Sequence, residues 1–113
     1  MDVQIEIMGQ TLLARLAGEI DLAGADGLRN SLERELDNNA EVRHIVVNLS
    51  DVKYIDSSGL GVLLGRYRRV SRDGGKMFIV GATKHVRKIL EMSGLLRIMP
   101  EYPTESDALK HAG

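Results

Sequence analysis

Several residue types that often define a protein's chemistry are absent from this sequence or rare in it. Among its 113 residues there is no cysteine and no tryptophan, and aromatic residues make up only 4%. The lack of cysteine excludes disulfides, thiolate catalysis and cysteine-ligated zinc. The scarcity of aromatic residues argues against the stacking platforms that bind single-stranded nucleic acid.

The sequence also lacks a charge excess and a long apolar run. Its 15 basic and 16 acidic residues leave a net charge of −1, too little to attract nucleic acid or anionic lipid. No apolar run approaches the roughly 18 residues of a membrane span, and no signal-peptide pattern follows Met1. We therefore expect a cytoplasmic protein without nucleic-acid or membrane partners, and the length predicts a single domain over residues 1–113.

The first half of the chain indicates a hairpin, a helix and a buried strand. Apolar and polar residues alternate over residues 3–8 and 12–17, which predicts two strands joined by a turn at Gly9-Gln10. Helical spacing over residues 22–38 predicts a helix. Residues 44–49 are apolar on both alternations, which is typical of a central strand buried on both faces.

The second half repeats the pattern of helix and buried strand. Apolar residues at helical spacing predict a helix between the strand at 44–49 and a second buried strand at 77–82, which requires a parallel crossover. Helices are predicted to start at Thr83 and Thr104, with Gly94 ending the first of them, and a short edge strand is predicted around Ile98. The fold class is therefore α/β, a small mixed sheet with helices on one face or both.

The stretch YIDSSGLGVLLGRYRR, residues 54 to 69, concentrates the residues with chemical potential. Its glycines at 59, 61 and 65 are spaced G-x-G-x-x-x-G, one residue away from the dinucleotide fingerprint. That fingerprint also needs an acidic residue about 20 positions later, where this chain has Val80-Gly81-Ala82. The pattern gives poor support to a nucleotide site.

The two serines of this stretch lack the partners that catalysis requires. A nucleophilic serine needs a base within hydrogen-bond reach, and the chain has only His44, His85 and His111, each placed as a structural or solvated residue. No spacing of His, Asp or Glu is typical of a metal site. We therefore expect no catalytic residues, cofactor or metal.

Ser57 is better explained by its position at the start of a helix. It follows an extended segment, so we expect it to be the N-cap, where the helix dipole would also accommodate a phosphate. Gly61 and Gly65 lie four residues apart and leave room either for the sheet behind or for another protein in front. The arginines that follow are expected to form a solvated face: Arg66, Arg68, Arg69 and Arg72.

These residues resemble the STAS-domain anti-sigma factor antagonists of bacteria. The main match is DSSGLGVLLGRYR, with support from LAGEID at 16–21, RHIVVNL at 43–49 and MSGL at 92–95, in the family's order and spacing. The long form with LGRYR is more similar to the sporulation, sigma-F type than to the stress-response type. The resemblance implies the STAS fold, a sheet of four to five strands with four to five surrounding helices.

The resemblance also implies a mechanism of partner switching. The unmodified protein would bind an anti-sigma factor, a serine kinase of the histidine-kinase-like ATPase fold, and release its sigma factor. That kinase would phosphorylate Ser57, and a PP2C-type phosphatase would remove the phosphate. The docking surface would comprise Glu19, Asp21, Asp56, Ser58, Gly59, Leu60, Gly61 and Gly65.

One departure and two alternatives stay open at this point. The sporulation pattern has histidines after the motif aspartate, whereas this chain has Leu22-Ala23-Gly24. The alternatives are a STAS module that binds a nucleotide or another small ligand, and a STAS scaffold that is not phosphorylated. The two retained serines argue against the second.

Overall fold

The computed structural model describes residues 1–113 and contains one five-stranded sheet. The strands are β1 (Asp2–Met8), β2 (Thr11–Ile20), β3 (His44–Ile55), β4 (Met77–Val80) and β5 (Glu101–Tyr102), and they lie side by side in sequence order. β1 pairs antiparallel with β2 and every later pairing is parallel. The antiparallel pairing of β1 with β2 confirms the predicted hairpin. Gly9 in the turn takes a positive φ of 61°, which glycine adopts readily.

Helices cover both faces of this sheet, which the sequence left undecided. The helices α1 (Leu22–Asn38), α2 (Ser57–Arg72) and α3 (Lys84–Met92) pack on one face over a core of 23 buried residues. The last helix, α4 (Glu105–Ala112), covers a smaller core of six buried residues on the other face. The central strands β2, β3 and β4 therefore bury apolar side chains on both faces, which explains the unbroken apolar runs in β3 and β4.

Capping side chains start the helices where the sequence indicates. Thr83 accepts the N–H of Val86 at 3.3 Å, and Thr104 accepts the N–H of Asp107 at 3.1 Å. Gly94 adopts the left-handed conformation with φ of 84° just after α3, as predicted for a helix stop. The bounds of α1 also agree with the prediction.

The structure differs from the prediction in the extents of β2, β3 and β4 and in the position of the edge strand. β2 continues to Ile20, three residues beyond its predicted end. β3 continues to Ile55, six residues beyond the apolar run, because β2 pairs with it, across two register shifts, as far as Ile20 and Ile55. β4 ends at Val80 rather than at residue 82. No strand forms around Ile98; residues Leu95–Arg97 form a 3₁₀ turn, and the edge strand β5 follows Pro100 instead.

None of the helices combines the length and apolar character needed to cross a lipid bilayer.

Candidate functional site at the carboxyl edge of the sheet

Three helices begin at one edge of the sheet. Because β2, β3 and β4 run parallel, their carboxyl ends meet at this edge, and α1, α2 and α3 start directly beyond them. The positive ends of three helix dipoles are thus gathered along one side of the molecule. Most of the residues singled out in the sequence lie here.

Asp56, and not Ser57, is the N-cap of α2. Its backbone is extended, with φ of −105° and ψ of −175°, and its Oδ1 accepts the N–H groups of Ser58 at 2.9 Å and Gly59 at 3.1 Å. Its Oδ2 accepts the N–H of Leu22, the first residue of α1, at 3.1 Å. The predicted cap was therefore wrong by one residue, and the carboxylate connects the starts of two helices.

The capping by Asp56 leaves the hydroxyl of Ser57 free. Ser57 is the first helical residue, its side chain is exposed, and its hydroxyl makes no hydrogen bond within the chain. Ser58 is half-buried beside it. The N–H groups of Ser58 and Gly59 are already bonded to Asp56, so they are not free to bind a phosphate on Ser57. The dipole of α2 still favours an anion at this position.

Acidic side chains border the site on the side of α1. Asp21 caps that helix by accepting the N–H of Gly24 at 3.0 Å, and Glu19 is exposed at the end of β2. Together with Met1, Ala23 and Gly24 they line a recess of about 370 Å³. The resulting concave surface carries two carboxylates and no basic side chain.

An aromatic pair borders the site on the side of α3. The ring of Tyr54, near the end of β3, stacks on the ring of His85 in the first turn of α3, with centroids 6.2 Å apart. Tyr54 keeps 42% of its surface exposed although it is a large side chain. Neither Tyr54 nor Leu22 was predicted to be a site residue from the sequence, although Leu22 is 76% exposed. An apolar residue directly after a cap, beyond the end of the sheet, is the signal that could have revealed Leu22.

The three glycines of α2 have two different roles. Gly59 is buried, and a Cβ added there would lie 2.6 Å from Cγ2 of Ile20 and 2.7 Å from Cγ1 of Ile55. A Cβ added at Gly61 or Gly65 would meet no atom within 4 Å. Close packing against the sheet therefore explains Gly59 alone, while Gly61 and Gly65 leave a bare strip on the outer side of α2. Leu60 is half-buried against the large core.

The arginines of α2 do not form one solvated face. Arg66 is only 8% exposed, because it shares the buried side of the helix with Val62, Leu63 and Val70. Its Nη2 lies 2.8 Å from Oε1 of Glu33 in α1, and its Nε and Nη1 have no partner. Burial lowers the pKa of Arg66. Arg69 bonds Glu33 and Asp37, so these side chains connect α2 to α1.

None of the three histidines is hydrogen-bonded to a serine at this edge. His44 opens β3 and His111 ends α4, away from the serines, and His85 is stacked on Tyr54. No group of three potential ligands is placed to hold a metal ion. The strand order never reverses, so the crevice that binds nucleotides in open α/β sheets is not formed.

Comparison with known proteins identifies the family. Residues 2–108 match the family described as "STAS domain". The chain belongs to the STAS-domain family. This STAS domain is 39% identical to the "Anti-sigma F factor antagonist" of Paenibacillus polymyxa, over 96% of this chain and 94% of that protein.

Solved structures of anti-sigma factor antagonists share the fold. The antagonist SpoIIAA in its unphosphorylated form is 30% identical, with a TM-score of 0.84 over 97% of this chain and 95% of that one. The Bacillus cell fate determinant SpoIIAA in its phosphorylated form is 27% identical, with a TM-score of 0.77 over 99% of this chain and 100% of that one. The predicted STAS fold and the resemblance to anti-sigma factor antagonists are thereby confirmed.

Proposed function

We propose that this STAS domain is an anti-sigma factor antagonist that is switched by phosphorylation of Ser57. In its unmodified form it binds an anti-sigma factor, which then releases its sigma factor. The observation that carries the proposal is the exposed, unbonded hydroxyl of Ser57 at the start of α2, in a chain 39% identical to a protein named for that function. We expect this exchange of partners to take place in the cytoplasm.

In this scheme Ser57 is a substrate and the chain catalyses nothing itself. The anti-sigma factor is proposed to be a serine kinase of the histidine-kinase-like ATPase fold. Ser57 Oγ bonds the γ-phosphorus of ATP, the bond to the bridging oxygen breaks, ADP leaves, and the hydroxyl proton passes to the kinase or to solvent. A PP2C-type phosphatase then hydrolyses the phosphoserine and restores the binding form.

Greater exposure supports the choice of Ser57 over Ser58. A serine that caps a helix has its oxygen engaged with a backbone N–H, and here Asp56 takes over that task. Ser57 is exposed whereas Ser58 is half-buried. A kinase can therefore reach Ser57 without unwinding the first turn of α2.

The phosphate would act through charge at the centre of the contact. It adds about −1.5 to −2 charges directly beside the carboxylate of Asp56. When a partner covers this surface the new charge must be desolvated, which costs binding free energy unless the partner neutralises it. Phosphorylation is thus expected to release the kinase without any change of fold.

The proposed docking surface consists of exposed and half-buried residues around Ser57, together with the residues that support them. Glu19, Asp21, Ser58, Gly61 and Gly65 offer surface to the kinase. Asp56 and the buried Gly59 hold the start of α2 against the sheet, and half-buried Leu60 continues that first turn. The bare strip at Gly61 and Gly65 allows another backbone to approach α2 closely.

The decisive experiment combines capture and phosphorylation. The tagged chain is used to isolate its kinase from the native cell, and the purified pair is incubated with ATP. We expect one phosphate per chain, located on Ser57 by peptide fragmentation, and no incorporation in Ser57→Ala. Ser58→Ala is the matched control and keeps its phosphate; phosphate on another residue of the wild type contradicts the assignment.

A second measurement addresses the small-ligand alternative. Titration of the isolated chain with ATP and with GTP should give no saturable signal, because no nucleotide crevice is formed. Saturable binding of either nucleotide would favour the alternative. Ser57→Asp should bind the kinase at least tenfold more weakly than Ser57→Ala, and equal affinities would contradict a phosphate switch.

A further inference from the structure

Exposed large apolar side chains collect at the edge that carries Ser57. The chain has six of them, and Met1, Leu22 and Tyr54 lie at this edge. Leu22 is 76% exposed even though its backbone N–H is fixed by Asp56. Single exposed apolar residues are ordinary, but a group of them around one polar site is typical of a protein interface.

Leu22 is positioned rigidly as well as exposed. Its N–H is held at 3.1 Å by Asp56, and it directly follows Asp21, whose side chain caps the same helix. Its exposed side chain packs on none of the buried residues that hold α1 to the sheet. Because the backbone of Leu22 is already fixed, contact with a partner has to order only its side-chain rotamers, which limits the entropic cost of binding.

The surroundings of Leu22 complete a recognisable interface. Beside it lies the recess of about 370 Å³ lined by Glu19 and Asp21, and on the other side of Ser57 lies the half-exposed ring of Tyr54. An apolar anchor with acidic groups at its rim fits a partner that offers an apolar pocket with a basic side chain next to it. Such anchors usually carry most of the binding free energy of an interface.

We propose that Leu22 is the principal apolar anchor and the specificity-determining contact for the anti-sigma factor kinase, with Tyr54 as a second anchor. The inference rests on the proposed function. The kinase that reaches Ser57 would also contact Leu22, because Asp56 accepts the N–H of Leu22 and directly precedes Ser57. The partner's pocket is apolar and bordered by a Lys or Arg side chain that enters the acidic recess.

This arrangement explains why a phosphate on Ser57 would be effective. In sequence Ser57 lies three residues after Tyr54 and one after the carboxylate that holds Leu22. A dianion on Ser57 would add to the carboxylates of Asp56, Asp21 and Glu19 on the surface that the partner covers. One basic group of the partner at the recess would not balance this added negative charge, so its desolvation would weaken binding.

The test compares alanine variants of two equally exposed side chains. Leu22→Ala is matched by Met92→Ala, because Met92 is 80% exposed and ends α3 at the opposite edge. We expect Leu22→Ala to weaken kinase binding at least tenfold and Tyr54→Ala at least threefold, whereas Met92→Ala stays within twofold of wild type. Calorimetric titration with the isolated kinase gives the affinities, and thermal unfolding verifies that all variants remain folded.

The recess is tested with charge and salt. Glu19→Gln should bind more weakly than wild type and reduce the dependence of affinity on salt concentration, because a rim ion pair is lost. If wild type and Leu22→Ala bind equally well and are both phosphorylated on Ser57, the anchor is wrong while the proposed function stands. If wild type itself neither binds a kinase nor accepts phosphate, the proposed function has failed.

Discussion

Oδ2 of Asp56 accepts a hydrogen bond of 3.1 Å from the backbone N–H of Leu22, across 34 residues of sequence. The same carboxylate caps α2 through its other oxygen. One side chain therefore fixes the start of the helix that carries Ser57 and the start of the helix that carries the exposed Leu22. The relative position of the proposed phosphate acceptor and the proposed anchor depends on it.

Asp56→Ala should destabilise the fold more than the loss of an ordinary helix cap. Loss of a cap costs about 0.5–2 kcal/mol, and this substitution also frees the N–H of Leu22. Asp21→Ala is the control, because it removes one capping bond of α1 and leaves α2 intact. Urea unfolding gives the stabilities, and amide exchange at Leu22 should accelerate only in Asp56→Ala. Equal stability and equal exchange in the two variants would contradict the double role.

Glycine-to-alanine substitutions in α2 should separate folding from recognition. Gly59→Ala places a methyl group 2.6 Å from Ile20 and should destabilise by about 1–3 kcal/mol. Gly61→Ala and Gly65→Ala should stabilise the fold by up to about 1 kcal/mol, since alanine is the better helix former and the space is open.

The same open glycines should matter for kinase binding. Gly27→Ala in α1 is the matched control, because a Cβ there also meets no atom within 4 Å. We expect all three open variants to gain stability, but only Gly61→Ala and Gly65→Ala to bind the kinase more weakly. Unchanged affinity in both would show that no partner backbone approaches the bare strip.

His44 should make the stability of the fold depend on pH. Its Nδ1 accepts the N–H of Lys76 at 3.0 Å, and burial, helped by the charges of Arg43 and Lys76, lowers the pKa of His44 below 6.5. The unfolded chain then binds the proton more readily than the folded one. The contribution to stability is complete above about pH 6.5 and declines as the pH falls below that value.

Urea unfolding at several pH values between about 5 and 8 measures this contribution. His44→Gln should flatten the decline, because the amide oxygen can accept the same N–H without titrating. If the unfolding free energy of His44→Gln declines with falling pH as steeply as that of the wild type, groups other than His44 cause the pH dependence.

Arg66→Met should leave stability unchanged or raise it. Two guanidinium nitrogens of Arg66 are buried without partners, and Glu33 would keep Arg69 as a counterion after the substitution. Glu33→Gln should be clearly destabilising, because it leaves the buried charge of Arg66 uncompensated. Thermal unfolding compares the stabilities of the two variants. A larger loss of stability in Arg66→Met than in Glu33→Gln would mean that Arg66 stabilises the contact between α1 and α2.

Local signals were sufficient to predict much of the fold. The hairpin turn at Gly9, the bounds of α1 and the caps at Thr83 and Thr104 each follow from a few adjacent residues. The extension of β3 did not, because exposed Ser50, Asp51 and Lys53 interrupt its apolar run. Its pairing with β2 holds that segment in the sheet, and pairing is a tertiary interaction that no local pattern contains.

The candidate site was predicted in place but not in detail. Asp56 and Ser57 are both good capping residues, and only the extended backbone at Asp56 decides between them. The separate roles of Gly59 and Gly61 depend on how α2 is rotated against the sheet. The helical spacing that Arg66 shares with Val62, Leu63 and Val70 indicates that it is buried. Its charge favoured an exposed position, and the prediction followed the charge.

The capping carboxylates have a role in folding and a proposed role in recognition, and this has an evolutionary consequence. Asp21 and Asp56 start two helices and also set the charge of the proposed contact surface, so a change at either alters folding and recognition together. Leu22 has an exposed side chain that packs on no part of the core, and only its backbone is engaged. When a gene of this family duplicates, we expect the copies to diverge at the position of Leu22 and to keep the two carboxylates. New pairs of antagonist and kinase could then become insulated from one another by few substitutions, without loss of a stable fold.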